Sequence, residues 1–148
     1  MKISISDSFL DAMQVLDSAD ARRASAFVEK LVTAPEATGF HAEMVHDAGA
    51  REVRSFRVTQ DMRAIVHIDC GRLLLLFVAR HDAAYAWARN HCIECIVDGE
   101  EVRVRLKMVS VDGRSGIEPT SEAKACLVET LEELHALLRD RGIPLAHS

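Results

Sequence analysis

Membrane and export signals are lacking in this 148-residue chain, which also has few aromatic residues and few prolines. Its longest apolar run, residues 73–79, is about a third of the ~20 residues that a membrane-spanning helix needs. The N-terminus lacks the basic and then apolar pattern of an export signal. Four cysteines without such a signal favour reduced thiols over a disulfide framework. We therefore expect a cytoplasmic protein with no membrane partner.

Positive charge is also scarce, because 18 lysines and arginines stand against 23 acidic residues and the formal net charge is −5. This balance excludes a protein that wraps nucleic acid over its whole surface, since that affinity comes from neutralised phosphates. Residues 51–63 are an exception, with four arginines and two acidic residues. Such a basic strip suits a phosphate or an acidic partner. An equally good alternative is that these arginines pair with neighbouring carboxylates.

Motifs of several enzyme classes are absent as well. The P-loop, Rossmann, HExxH and GxSxG motifs do not occur, so nucleotide hydrolysis by this chain alone is not expected. A lone CxxC, from Cys92 to Cys95, follows His91, but zinc needs four ligands. Alternation along this segment favours ordinary strand cysteines, and we expect no metal and no cofactor.

Hydrophobic residues make up 49% of the chain, which is enough to bury one core in a single domain with an appendage. Residues 1–5 alternate apolar and polar side chains and predict a strand. Residues 8–18 and 20–34 have apolar residues at helical spacing and predict a helical hairpin. Residues 36–50 show little periodicity and predict a loop with at most one turn of structure.

Three strand-like runs follow at residues 52–60, 62–69 and 72–81, with connections short enough only for antiparallel hairpins. Their alternation gives one apolar face, which we expect to pack on the helical hairpin. The third run is apolar on both faces and predicts a central strand that is covered on both sides. Asp82 is then the predicted cap of a helix over residues 83–90.

The last third of the chain predicts a second hairpin and a long helix. Strands at residues 92–97 and 101–111 flank an Asp-Gly turn signal, and residues 112–116 predict a further turn. The helix is predicted to begin at Thr120 or Ser121 and to end just before Gly142.

This C-terminal helix has an apolar stripe that needs a partner surface, either in its own domain or on a second chain, in which case it could form a dimer. The stripe comprises Ala123, Leu127, Leu131, Leu134 and Leu138. We divide the chain into a core of residues 1–91 and an extension of residues 92–148 that packs on the core.

Two stretches of the chain carry a resemblance to a known family. They read Val53-Arg-Ser-Phe-Arg-Val-Thr-Gln-Asp-Met-Arg-Ala-Ile-Val-His67 and Leu74-Leu-Leu-Phe-Val-Ala-Arg-His-Asp-Ala-Ala-Tyr-Ala-Trp-Ala88. Two helices followed by an arginine-bearing meander resemble the RelE/ParE toxin superfamily. The second stretch is most similar to the RelE-like module at the N-terminus of some UvrD-type helicases. The resemblance covers residues 1–100 and implies an α+β fold with a helical hairpin on an antiparallel sheet.

The resemblance implies three alternative functions. The first is a non-toxic, helicase-associated accessory module that contacts nucleic acid, RNA or DNA, or a protein partner through an arginine-lined sheet face. The second is a toxin, a metal-independent and ribosome-dependent mRNA endonuclease that an antitoxin restrains. The third is a ParE-like inhibitor that binds a protein through the C-terminal helix. The chain departs from the ribosome-dependent members in having only four lysines, none of them in the meander.

Cleavage of RNA without a metal needs cations on the phosphate and a group that moves protons. Arg57 and Arg63 have matching parity on neighbouring strands, and Arg80 ends the next strand, so three guanidinium groups are predicted to converge on one phosphate. His81 would transfer a proton, and Tyr85 would stack on a base or donate a hydrogen bond. These five positions match those that are functional in the family.

Structural alternatives stand beside these roles. Arg63 could pair with Asp61 or Asp82, the adjacent His81 and Asp82 could form a helix cap, and Tyr85 could pack in the core. The basic strip is the predicted nucleic-acid contact, through Arg51, Arg54 and Arg57.

Overall fold

A computed structural model describes residues 2–34, 42–44, 53–69, 71–98, 101–108 and 120–146, which form an α+β fold. In chain order the elements are β1 (Lys2–Ser6), α1 (Asp7–Val15), α2 (Ser18–Thr33), β2 (Ala42–Met44), β3 (Val53–Arg57), β4 (Met62–Asp69), β5 (Arg72–Arg80), α3 (His81–Asn90), β6 (His91–Asp98), β7 (Glu101–Met108), β8 (Thr120–Val128) and α4 (Leu131–Asp140). None of the helices in these ranges has the length and the apolar character that crossing a membrane requires.

One mixed sheet contains all eight strands, in the order β2-β3-β4-β5-β1-β8-β7-β6. The predicted meander of β3, β4 and β5 is confirmed, because both of its pairings are antiparallel. The expectation of an antiparallel sheet is wrong at one pairing, where β1 lies parallel to β5. The partner strand of β1 depends on which edge of the meander β1 joins. The side-chain pattern of β1 itself does not predict that edge.

The helices α1 and α2 cover one face of the sheet, called here the helical face. Their N-caps come from short polar side chains: Ser6 Oγ accepts a hydrogen bond from Phe9 N–H at 3.3 Å, and Asp17 Oδ1 accepts one from Asp20 N–H at 2.8 Å. The predicted packing of the helical hairpin on the sheet is confirmed by a continuous first core. Its members on these helices are Phe9, Leu10, Ala12, Met13, Ala24, Phe27, Val28 and Leu31.

The predicted long C-terminal helix is wrong in its first half, because residues 120–128 form β8. This strand pairs antiparallel with both β1 and β7 and so joins the two parts of the sheet. Its alanines, lysine and leucine favour a helix locally, but a helix here would leave the edges of β1 and β7 without backbone partners. The helix α4 begins instead at Leu131, where Thr130 Oγ1 accepts a hydrogen bond from Glu133 N–H at 3.2 Å.

The prediction of a C-terminal helix is confirmed for residues 131–140. Leu134 and Leu138 have no exposed surface and belong to the first core, so α4 packs on its own chain. The helix ends at Asp140, and Gly142, just beyond the C-cap Arg141, has a φ of 68°. The N–H of Gly142 donates to the Arg139 carbonyl at 3.0 Å and that of Ile143 to the Leu138 carbonyl at 2.9 Å, which is a Schellman motif.

Strand β5 is apolar on both faces, as predicted, and both faces are covered. The helix α3 and the strands β6 and β7 pack against the face opposite the helices, called here the second face. The second core that they enclose comprises Val53, Ile65, Leu74, Leu76, Ala84, Ala88, Ile93, Val102, Val104 and Leu106.

A β-bulge shifts the alternation of β5. One extra residue, Leu76, stands between two successive register pairs of β4 and β5. Leu75 and Val78 therefore both face the first core, although they are three residues apart. Arg80 follows Val78 on the helical face, and this position matters for the candidate site.

Two local predictions are wrong. Ala42–Met44 forms the edge strand β2 inside the predicted loop of residues 36–50, because three residues are too few to show alternation. The predicted cap Asp82 lies instead in the first turn of α3. The N-cap of this helix is Arg80, whose side chain makes no capping hydrogen bond. The predicted turn at residues 112–116 lies outside the described residues.

The burial of α4 predicts its contribution to stability. Leu134→Ala should lower the free energy of unfolding by about 2–5 kcal/mol, because the substitution leaves a cavity in the first core. Glu132→Gln, at an exposed position of the same helix, should change it by less than about 1 kcal/mol. Urea denaturation followed by circular dichroism measures both. Equal, small effects would mean that α4 does not belong to the core.

Candidate nucleic-acid interface

Two arginines lie side by side at one end of the second face. Arg57 on β3 is directly opposite Arg63 on β4, next to the turn that joins these strands. Like charges in directly opposite positions, with Cβ atoms about 4.5–5.5 Å apart, destabilise a strand pair. Arg57 is exposed and makes no hydrogen bond or ion pair with any residue in the described part of the chain. Arg57 and Arg63, called here the arginine pair, thus concentrate positive charge.

Arg63 is only 8% exposed and is held by the backbone of the turn. Neither of the predicted carboxylate partners, on Asp61 and Asp82, binds it. Its Nη1 instead donates to three carbonyl oxygens at 2.9, 3.1 and 2.9 Å, those of Thr59, Gln60 and Met62. Arg63 therefore fixes the turn and adds charge beneath Arg57, rather than presenting an open guanidinium group.

Arg80 does not join the arginine pair, because it lies on the helical face. Its Nη2 is 3.0 Å from Asp20 Oδ2, and its Nη1 is 3.6 Å from Asp61 Oδ2. The Asp20 carboxylate is buried and also binds Arg23 Nη1 at 2.8 Å. The predicted convergence of three guanidinium groups on one phosphate is therefore not found. Asp20 is a partner that sequence analysis missed, since nothing local links it to Arg80.

The helix α3 begins beside the β3–β4 turn. The N–H of His81 donates to the Asp61 carbonyl at 2.8 Å and ties the start of the helix to that turn. The imidazole Nδ1 of His81 is 3.1 Å from Asp82 Oδ1, and both side chains are exposed. The rings of His81 and Tyr85 are in contact, with centroids 4.5 Å apart and planes tilted by 53°. Two rings one helical turn apart thus line the start of α3.

The hydroxyl of Tyr85 is hydrogen bonded to Ser55 Oγ at 2.8 Å. Ser55 is buried on β3, on the same face as Arg57 and two residues before it, which is a separation of about 7 Å along the strand. This bond places the Tyr85 hydroxyl at Ser55, two residues along β3 from Arg57. Ser55 was not predicted as part of the site, although its matching parity with Arg57 was visible in the sequence.

The predicted basic strip does not form one surface. Arg54 lies on the opposite face of β3 from Arg57, because the strand alternates, and its Nη1 donates to the Val53 carbonyl at 3.0 Å. Arg51 lies outside the described residues. Of the three predicted nucleic-acid contacts, Arg57 is the one that the described structure places beside His81 and Tyr85.

The segment from His91 to Cys95 is occupied by packing contacts. The His91 ring stacks on Trp87 with centroids 4.3 Å apart, and its Nδ1 is 2.7 Å from the Trp87 carbonyl oxygen. Cys95 packs against the second core while Glu94 is exposed, as the alternation predicts. Within the described ranges, no group of three or more His, Cys, Asp or Glu side chains could hold a metal ion.

This arrangement is suited to binding an anion. Arg57 offers an exposed guanidinium group, Arg63 adds charge below it, and the exposed ring of His81 offers a stacking surface for a base, while the Tyr85 ring packs partly against the second core. No protein-family model, no curated protein and no solved structure matches the chain. The proposal for its role therefore rests on these residues, on their geometry and on the resemblance described under Sequence analysis.

The two members of the arginine pair should differ in their effect on stability. Arg63→Gln should lower the free energy of unfolding by about 2 kcal/mol, because three carbonyls lose a charged donor. Arg57→Gln should change it by less than about 0.5 kcal/mol, since Arg57 is exposed and faces a like charge. Urea denaturation measures both. A larger loss for Arg57→Gln would contradict the assignment of their roles.

Proposed function

We propose that this chain is a RelE/ParE-type domain, most like the module at the N-terminus of UvrD-type helicases. In this proposal it acts in the cytoplasm as a non-toxic accessory module that binds single-stranded nucleic acid. The order of a strand, a helical hairpin and an arginine-bearing meander supports the family assignment. The binding surface consists of the arginine pair and the first turn of α3.

One observation carries this proposal: an exposed arginine without an acidic partner in the described structure lies directly opposite a second arginine. A protein with a net charge of −5 keeps these two like charges together at a cost in stability. A phosphodiester group bound here would offset one of the two positive charges and reduce their repulsion. The guanidinium of Arg57 can bind two phosphate oxygens at once, which a lysine cannot do.

The neighbouring side chains favour binding over cleavage. Three of the five residues predicted to be catalytic have their polar groups engaged within the protein. Arg63 binds backbone carbonyls, Arg80 binds Asp20, and the Tyr85 hydroxyl binds Ser55. Arg57 and His81 are the remaining two and both are exposed, although His81 Nδ1 is 3.1 Å from Asp82 Oδ1. A single cation and a single imidazole can hold a phosphate more readily than they can complete an acid–base mechanism.

A metal-independent RNA endonuclease restrained by an antitoxin is the second candidate. It is favoured by the Asp82 carboxylate 3.1 Å from His81 Nδ1, because such a contact orients an imidazole for proton transfer. A ParE-like inhibitor that uses the C-terminal helix has less support. Leu134 and Leu138 of that helix are buried in the first core and not available to a second chain.

Binding of a fluorescein-labelled, uridine-rich RNA oligonucleotide tests the proposal. Fluorescence anisotropy should detect binding at low salt that weakens steeply as salt rises, because counterions are released from the phosphates. Arg57→Gln should weaken binding and lower the slope of the logarithm of the affinity against the logarithm of salt by about 1. Arg22→Gln is the matched control, since Arg22 is exposed on α2 over the helical face and should have no effect.

A second assay separates the two candidates, because the endonuclease alternative is ribosome-dependent. On a denaturing gel, messenger RNA that stays intact after incubation with the protein and translating ribosomes supports the accessory module. Cleavage that is lost in His81→Ala supports the endonuclease and contradicts a non-toxic role. No binding of the free oligonucleotide by the parent protein at low salt would contradict the accessory module that binds single-stranded nucleic acid.

A further inference from the structure

A cavity of about 370 Å³ lies in the second core, at the end of the sheet away from the arginine pair. Its apolar wall includes Leu74 of β5 and Val102 of β7, and Cys95 of β6 lines it from the same side as Val102. His67 on β4 also borders it, four residues beyond Arg63, which corresponds to about 13 Å along the strand. The cavity is thus separate from the proposed nucleic-acid surface.

The fold explains why space remains at this end. The helix α3 packs over the half of β4 and β5 where Ile65 and Leu76 lie, and Ala84 and Ala88 fill that part of the second core. Beyond α3, the strands β6 and β7 are the described elements that face β5 and β1. The volume left there lies in the range of small-molecule sites, which start at about 300 Å³.

A hydroxyl group borders the cavity. Ser4 on β1 is 6% exposed as a residue, and its Oγ makes no hydrogen bond with any residue in the described ranges. This oxygen is not among the fully buried polar atoms that lack a partner, so it is accessible to water or to a polar group of a ligand. Neighbouring serines behave differently, since Ser6 Oγ donates to the Leu75 carbonyl at 2.8 Å.

The mouth of the cavity is positively charged. Arg72 lines it and is the direct neighbour of Lys2 in the parallel pairing of β1 with β5. Lys2 and Arg72 both border a small adjoining void together with Ser4, and neither makes an ion pair within the described structure. Asp69, opposite Arg72 on β4, is the one acidic residue among the described side chains that line the cavity. Arg72 at the cavity and Lys2 at the adjoining void outnumber this carboxylate, which favours an anionic ligand.

We propose that this cavity binds a small apolar molecule that bears one carboxylate group. The apolar part lies against Leu74, Val102 and Cys95, and the carboxylate accepts hydrogen bonds from Arg72 and from Ser4 Oγ. Charge-assisted bonds to a guanidinium group are the strong ones among hydrogen bonds, so Arg72 determines the preference for an acid. This inference does not depend on the proposed function, because it uses the other end of the sheet.

Octanoate, 1-octanol and octylamine are matched probes, since they share a chain and differ in the polar group. Isothermal titration calorimetry of the full chain should detect octanoate binding, at least about tenfold weaker binding of 1-octanol, and weaker binding still of octylamine. Methyl signals of Leu74 and Val102 in carbon–proton correlation spectra should shift with octanoate. Absence of binding at millimolar octanoate, or equal binding of octylamine, would overturn the proposal.

Variants then test the assigned contacts. Arg72→Gln should weaken octanoate binding by about tenfold or more and leave 1-octanol unchanged, because it removes the charge and keeps the cavity. Cys95→Phe should reduce the binding of both probes by filling the volume. Arg22→Gln, far from the cavity on α2, should bind like the parent protein. Unchanged octanoate affinity in Arg72→Gln would contradict the carboxylate site whether or not Cys95→Phe folds.

Discussion

Strand β5 is apolar on both faces, and most of the architecture follows from the need to cover both of them. One face is covered by α1, α2 and α4, and the other by α3 with the strands β6 and β7. Burial of apolar surface at about 25 cal/mol per Å² favours any arrangement that shields a strand such as Leu73 to Val78 from water. The strand β8 pairs with β1 and with β7, and it thereby joins β6 and β7 to the part of the sheet that contains β5.

The position of the candidate site follows from the same central strand. The bulge at Leu76 inverts the alternation of β5, so that Arg80 reaches Asp20 on the helical face. Strict alternation from Leu75 onward, without a bulge, would place Arg80 on the second face with the arginine pair. The inversion leaves Arg57 exposed over a charged Arg63 and sends the third cation into an ion pair. The described structure therefore brings two cations, and not three, to the proposed anion surface.

Much of the fold could be predicted from periodicity, because β3, β4, β5 and the helical hairpin have regular apolar patterns. The segment of β8 could not, since its composition favours a helix and its strand partners are distant in sequence. In the site, the adjacency of Arg57 and Arg63 follows from strand parity and was predicted. The partners of Arg63 and Arg80 were not, because a turn's carbonyls and a buried carboxylate on another element leave no local signal.

Amide chemical-shift mapping tests the central claim most directly, because it locates a bound strand without presupposing a function. The nitrogen-15-labelled protein would be titrated with the uridine-rich RNA. The account predicts shifts at Arg57, at Arg63 and in the first turn of α3, with the amides of α2 and α4 unchanged. Shifts confined to the helical face, or spread evenly over the chain, would contradict an anion surface at the arginine pair.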